Sequence, residues 1–297
     1  MKKIFSKIIN NYSGCTVIRK DEEKVILKVP NEISGGNDLF VKIYLFPNKW
    51  KRFYNFAGLK KGGFRDYRVS RKLISHGVDV PDPVGAYNDM GIAGFPRRSL
   101  FASKWIKDAI SVRDLMVRYV AGKSNTGDQI LRRKKEKGLY DGENKDLCGP
   151  LSRGDLKKLS NSLGEFIAFL QKKRIYCNDL NAGNFLVRIS DHSRFHFLLI
   201  DYEGISFIRP ISRRRRIFNL SQIAAFMSVV DDNASHNLCQ GYVKIQRQVD
   251  LKKLTCEVKE KSKKLEENWK KKLDDKFDKI SRELLKRKKT ENKHDTP

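Results

Sequence analysis

Ile175-Tyr-Cys-Asn-Asp-Leu-Asn-Ala-Gly-Asn-Phe-Leu-Val187 is the stretch on which the reading of this chain turns. It places Asp179 five residues before Asn184, in a polar loop between an amphipathic helical stretch and an apolar strand. Fourteen residues beyond Val187, Phe197-Leu-Leu-Ile-Asp-Tyr-Glu-Gly204 ends a second apolar strand in an aspartate, Asp201. An aspartate, an asparagine five residues on and a strand-end aspartate are what a phosphoryl-transfer site needs. One carboxylate accepts the proton of the acceptor hydroxyl, while the amide and the second carboxylate hold Mg²⁺ on nucleotide phosphates. A loop Asp and Asn can also stitch a turn. That bland reading leaves Asp201 and the upstream strand lysine, Lys42, without explanation.

Upstream, residues 16–46 read as strands. Thr16-Val-Ile-Arg and Lys24-Val-Ile-Leu-Lys-Val are rich in β-branched residues and flank the turn Asp21-Glu-Glu. Pro30 to Gly36 reads as a loop, and Leu39-Phe-Val-Lys-Ile-Tyr-Leu-Phe as a further strand with Lys42 in its middle. Residues 64–76 have the pattern of a helix ending at Gly77. Strands are expected near 84–87 and 99–103, then a connector, Trp105-Ile-Lys-Asp108, and a short helix over 111–120. Residues 121–150 read as a charged insertion.

Downstream of the insertion, Leu156, Leu159, Leu163, Phe166, Ile167 and Leu170 line one face of a helix over 155–173. Helices are also expected over 217–230 and 238–249, with Arg213 to Arg216 in the loop before them. From Leu251 to Lys288 apolar residues recur at three, four or seven positions, Trp269 and Phe277 among them. Residues 251–297 carry 17 Lys+Arg and 10 Asp+Glu, a net of +7. This basic amphipathic tail is suited to packing on its own body, to dimerising, or to lying in a membrane interface.

The whole chain carries 62 Lys+Arg against 35 Asp+Glu, a net charge of +27. A polyanionic partner is expected, either nucleic acid or an anionic membrane face. The basic runs 131–137 and 213–216 have no aromatic residue within them, which disfavours nucleic acid. Five widely spaced cysteines (Cys15, Cys148, Cys177, Cys239, Cys256) show no metal or redox spacing and read as reduced cytoplasmic thiols. The first eleven residues begin like a secretory n-region, but Lys7, Asn10 and Asn11 break the apolar run. No secretory signal and no membrane-spanning segment is expected.

In this order, a strand lysine, a helix acid (Asp66), the Asp179/Asn184 loop and the strand-end Asp201 resemble the protein-kinase superfamily. Asp66 through Pro83, Asn178-Asp-Leu-Asn-Ala-Gly-Asn-Phe-Leu-Val, Leu199-Ile-Asp-Tyr-Glu-Gly and Arg213-Arg-Arg-Arg-Ile-Phe-Asn-Leu are similar to the lipopolysaccharide core heptose kinases and the related Kdo kinases. The resemblance spans roughly residues 39 to 226. It implies an α+β, bilobal protein-kinase-like fold. Residues 1–108 would form an N-lobe with a small antiparallel sheet, residues 109–250 a mainly helical C-lobe, and 251–297 the helical tail.

It further implies ATP and Mg²⁺ as cofactors, with Asp179 as the catalytic base and Asn184 and Asp201 as metal ligands. Lys42 would meet the α/β-phosphates with Asp66 behind it, and backbone groups of Lys104 and Ile106 would meet adenine. Arg213, Arg214, Arg215 and Arg216 are candidates to grip a substrate phosphate. The sequence departs from the superfamily in three places. No glycine-rich loop lies between the first strands, Cys177-Asn178 replaces His-Arg, and Glu203 replaces the glycine after the metal-binding Asp. The missing arginine before Asp179 speaks against control by activation-loop phosphorylation.

The implied activity is transfer of the ATP γ-phosphate to a hydroxyl of an inner-core sugar, foremost heptose, of lipopolysaccharide on lipid A. It would take place in the cytoplasm, peripherally on the anionic inner membrane. After Asp201 only 96 residues remain (297 − 201), about half of them tail, and no Ala-Pro-Glu follows. That leaves little room for a peptide platform. The alternatives are a small-molecule or protein kinase of the same fold, and a catalytically inactive basic binding module.

Overall fold

The computed structural model describes residues 2–46, 62–91, 96–121, 152–189, 194–208, 210–228, 231–263 and 265–267. The 121–150 insertion, apart from its first residue, and the tail beyond residue 267 lie outside them. The described residues fall into two compact units. One takes in the chain up to Asp155, then Leu170–Asn178 and the described stretch from 182 to 208. The other is built from Leu156–Phe169, Asp179–Asn181 and the chain from Pro210 onward.

The first unit is organised by a five-stranded antiparallel sheet. Its strands are β1 (Thr16–Lys20), β2 (Lys24–Val29), β3 (Leu39–Leu45), β4 (Pro83–Met90) and β5 (Pro96–Lys104), in the order β1-β2-β3-β5-β4. Side chains alternate between the faces of a strand, and that alternation decides what each face becomes. Val25, Leu27, Val29, Leu39, Val41, Ile43, Leu100 and Ala102 form one buried apolar face. The helix Lys2–Asn10 covers it with Phe5, Ile8 and Ile9, so the apolar residues of the N-terminal stretch serve as core. Lys42 and Tyr44 necessarily point to the other face, where the helix Gly63–Ser75 packs.

That helix ends as expected: Gly77 takes a left-handed φ of 72°, and the amides of His76 and Gly77 bond back to the last turn. The stretch Pro30–Gly36, read as a loop, contains one helical turn, Asn31–Ser34. Gly35 at φ 75° ends it by donating to the Asn31 carbonyl. Two small sheets complete the first unit. β7 (Ile175–Cys177) pairs with β10 (Ile205–Phe207), and β6 (Ile110–Ser111) pairs with β8 (Phe185–Ile189), which pairs with β9 (Phe195–Leu199).

The second unit is helical. It contains the middle of the helix Arg153–Lys172, the helices Arg213–Ser228 and Ala234–Ile245, and a helix over 251–263. The start of the tail packs on this unit's own body. Leu254 and Val258 are buried, Lys261 lies over the Phe218 ring, and Glu257 binds Arg213. The Trp269 and Phe277 positions lie outside the described residues.

Two glycines let helices of this unit approach closely. A Cβ at Gly164 would stand 2.0 Å from the Leu238 carbonyl oxygen, and one at Gly241 would stand 1.9 Å from that of Asn161. Alanine favours a helix over glycine by about 1 kcal/mol, but here the backbones would have to part. Gly241→Ala is therefore expected to lower the unfolding free energy by about 1–3 kcal/mol, as overpacking does. Urea denaturation of the purified variant checks this, and equal or greater stability would contradict it.

Candidate active site

Pairing of β8 with β9 brings two of the expected metal ligands to one end of a ladder. Phe185 is opposite Leu199, and the Ile200 amide donates to the Asn184 carbonyl at 2.9 Å. Asn184 thus sits just before one strand and Asp201 just after its neighbour. Residues Tyr202 to Ile205 are fixed from the Gly63–Ser75 helix. Arg65 donates to the Tyr202 carbonyl at 2.7 Å and to the Ile205 carbonyl at 3.0 Å. The buried Tyr202 ring meets Phe101 edge-on at 5.6 Å.

Lys42 projects into this region from β3. Its ammonium lies 3.3 Å from Asp201 Oδ1 and 3.8 Å from Asp66 Oδ2. The structure therefore brings together the strand lysine, the helix acid and the strand-end aspartate. The nearest carboxylate, however, is Glu203, whose Oε1 lies 2.5 Å from Lys42 Nζ. Lys24, on β2, reaches the same oxygen at 2.9 Å. Asp66 instead accepts its short bond from the Tyr44 hydroxyl, at 2.5 Å.

Aspartate is one methylene shorter than the usual glutamate, and Tyr44 fills the difference. Among the described residues no hydrogen-bond donor reaches Asp66 Oδ1, with Arg65 at 3.9 Å. Glu203, Tyr44, Lys24 and Arg65 were not recognised from sequence. Tyr44 had a signal, since it lies two residues beyond Lys42 and so shares its face.

The acids behave differently because their surroundings differ. Burial pushes Asp66 up to about 6, against the opposing pull of the Lys42 charge and the Tyr44 hydrogen bond. Burial also works against the charge on Glu203, but Lys42 and then Lys24 override it and hold that carboxyl at about 2. Burial opposes the charge on Lys42 too, yet Asp66, Asp201 and Glu203 together raise it above its ordinary value. Cys177, where the superfamily carries histidine, is buried, and its thiol is pushed up to about 12 by burial and then by the Asp201 charge. It stays protonated and is no nucleophile.

Asp201 is the open member of the cluster, with 38% of its side chain exposed against 2% for Asp66. A half-exposed carboxylate beside an asparagine suits a hard cation that keeps several of its waters and takes few protein ligands. The residues present therefore fit Mg²⁺.

The other expected site residues lie on separate elements. At the connector, the amides of Lys104 and Trp105 donate to the Asp82 and Asp38 carbonyls at 2.9 and 2.8 Å. Asp179 is exposed and belongs to the second unit, where Asn181 Nδ2 lies 3.4 Å from its carboxylate and Gln222 accepts the Leu180 amide at 3.3 Å. Arg213 to Arg216 do not lie in a loop but open the helix Arg213–Ser228, and the Arg216 amide bonds to the Ser212 carbonyl. Arginine is a good helix former, and Ser212 occupies the position before the first turn. Four cations there oppose the helix dipole. Glu257 offsets part of this by holding Arg213 at 2.8 Å, and Arg216 is bonded to the Ile211 carbonyl at 3.1 Å.

The fold has the protein-kinase-like form. Among solved structures the chain is similar to WaaP in complex with acyl carrier protein, with a TM-score of 0.53 and 14% identity. The match covers 84% of this chain and 88% of that one. A second similar structure is the Rio2 kinase–ADP/Mg²⁺–phosphoaspartate complex from Chaetomium thermophilum, with a TM-score of 0.45 and 14% identity over 84% and 70% of the two chains. No protein-family model and no curated protein matches the chain. The protein-kinase-like fold expected from the sequence is thus met in the structure and in its similarity to WaaP.

The two displaced carboxyls predict opposite pH limbs. Glu203 lies near 2 against an ordinary 4.5, and so adds stability that is present above about pH 4.5 and lost as pH falls towards 2. Asp66 lies near 6 against an ordinary 3.8. It favours the folded state most below pH 3.8, and that contribution is lost as pH rises through 6. Each shift corresponds to roughly 3 kcal/mol at most. In urea titrations from pH 2.5 to 7, Glu203→Gln should flatten the acid limb, and Asp66→Asn should remove the decline between pH 4 and 6.5. Unchanged slopes in both variants would contradict the assignment.

Proposed function

We propose that this protein is an ATP-dependent phosphotransferase acting on an alcohol group, with an inner-core sugar of lipopolysaccharide, foremost heptose, as acceptor. The observation that carries the reading is Lys42 at 3.3 Å from Asp201, two residues far apart in sequence and held as a phosphate-binding cation and a metal-binding carboxylate require. Asp201 and Asn184 would hold Mg²⁺, which when bound offsets the charge of the nucleotide phosphates. Lys42 would bind the α/β-phosphates. Adenine would meet the Ile106 backbone and the connector carbonyls, since the Lys104 and Trp105 amides are already engaged.

Asp179 is exposed in the loop after β7, which suits a group that accepts the hydroxyl proton as the phosphoryl group leaves ATP. The net charge of +27 supports an anionic, lipid-anchored glycan as substrate and an anionic membrane surface as the place of work. Among the described residues no helix is long and apolar enough to cross a membrane, which is compatible with peripheral attachment. Exposed arginines at the start of the Arg213–Ser228 helix are candidates for the substrate's phosphates.

Mass spectrometry of core oligosaccharide from cells with and without the gene tests the acceptor. Loss of one phosphate is expected, and an unchanged core would exclude this substrate. In the purified enzyme, Asp179→Asn should lower kcat by about 10²–10⁴-fold and leave nucleotide affinity intact. Near-normal turnover would remove Asp179 from the role. Asp201→Ala should abolish the Mg²⁺-dependent part of ADP binding in calorimetry, and an unchanged Mg²⁺ dependence would show that the metal is held elsewhere.

A further inference from the structure

Two ammonium groups in the first unit converge on one carboxylate oxygen. Lys42 Nζ lies 2.5 Å and Lys24 Nζ 2.9 Å from Glu203 Oε1. The convergence is built into the sheet. Lys24 is paired directly across from Tyr44, Tyr44 is two residues from Lys42, and all three side chains share a face. Asp201, the metal-ligand candidate, touches the same Lys42 ammonium.

The β1–β2 turn explains why a second cation is needed there. In this superfamily's usual plan, glycine-rich backbone amides between these strands cover the phosphates. Here the turn is Asp21-Glu22-Glu23. Asp21 Oδ1 accepts the amides of both Glu23 and Lys24, and the Asp21 amide donates to the Lys24 carbonyl. The amides are used internally, and the turn's three carboxylates would repel a phosphate. The first cationic side chain after the turn is Lys24, and it points at the phosphate-binding lysine.

We propose that Lys24 and Lys42 form a two-ammonium subsite for a nucleotide phosphate oxygen, which the Glu203 carboxylate occupies until the nucleotide displaces it. This rests on the kinase reading above. A carboxylate oxygen and a phosphate oxygen present the same anionic acceptor to an ammonium, so one can replace the other on the same donors. Glu203 is able to leave. Its side chain and that of Lys24 are each 19% exposed, against 7% for Lys42. The cluster also has a carboxylate to spare, since Asp66, Asp201 and Glu203 face the ammonium groups of Lys24 and Lys42. Release of Glu203 opens the position shared by the two ammonium groups to the incoming anion, while Asp66 and Asp201 stay beside Lys42. Glu203 is thus a built-in competitor that keeps the two lysines in place while the site waits.

Anisotropy of a fluorescent ADP analogue and calorimetry with inorganic tripolyphosphate, each in EDTA and with Mg²⁺, test the proposal. Lys24→Met should weaken both probes about tenfold or more even without metal. Lys24→Arg should restore most of the loss, which a merely structural role on β2 would not require. Glu203→Gln should tighten both probes about three- to tenfold in EDTA, and much of that gain should disappear in the Lys24→Met background. Unchanged affinity in Lys24→Met, with thermal stability like wild type, would overturn the subsite and leave the kinase reading standing. Weaker binding in Glu203→Gln confined to Mg²⁺ would show Glu203 to be a metal ligand, overturning its role as competitor. Lys24-dependent binding of tripolyphosphate with no binding of ADP would keep the subsite and sink the kinase reading. Binding of neither probe would overturn both.

Discussion

Lys42 has 6% of its surface exposed, and an ammonium group there is tolerable only because carboxylates surround it. Transferring a lone charge out of water costs several kcal/mol even after relaxation, and only well-placed partners recover it. The partners come from far apart in the sequence: Asp66 on the Gly63–Ser75 helix, and Asp201 and Glu203 on the segment after β9. The buried charge is therefore a constraint on the tertiary arrangement. β3, the helix and the post-β9 segment must meet at one point, and Arg65 ties the latter two together through the Tyr202 and Ile205 carbonyls.

The same cluster departs from the usual protein-kinase arrangement as to which carboxylate holds the lysine most closely. A shorter acid at position 66 reaches Lys42 only at 3.8 Å, and its charge is disfavoured by burial to the point that it titrates near 6. A glutamate at the usual glycine position supplies the closer contact instead and stays ionised down to about 2. The strong anchor of the lysine has moved from the helix to the residue next but one to the metal-ligand candidate. A change in the Asp201 segment then necessarily changes what Lys42 holds. In the usual arrangement the helix mediates that coupling, whereas here it runs through two residues of one loop.

Much of this was legible in the sequence, for a physical reason. Alternation with a period of two in Lys24–Val29 and Leu39–Leu45, and the stripe Leu156 to Leu170, are local patterns that burial enforces residue by residue. Lys42, Asp66 and Asp201 could be picked out because each stands in a recognisable local context, and the fold brings these three together. Glu203 stood out only as a departure, since nothing local shows that an acid will meet a lysine 161 positions away (203 − 42). Lys24 is one of 62 cationic residues and has no distinguishing neighbour in the sequence. The arginine run starts a helix rather than lying in a loop, since arginine is a good helix former and Ser212 stands before the first turn, signals that a run of like charge masks.

Charge is arranged differently at two places in the chain. In the first, Lys24 and Lys42 are matched with Asp66, Asp201 and Glu203 in one half-buried cluster, so the charge is local and directional. In the second, the Arg213–Ser228 helix begins with four arginines, of which Glu257 engages the first and the Ile211 carbonyl the last. Buried pairs of the first kind are little affected by salt, whereas exposed charge of the second kind is screened over about 10 Å at 0.1 M. Among the described residues Lys42 is the one lysine or arginine that is buried, and three carboxylates face it there.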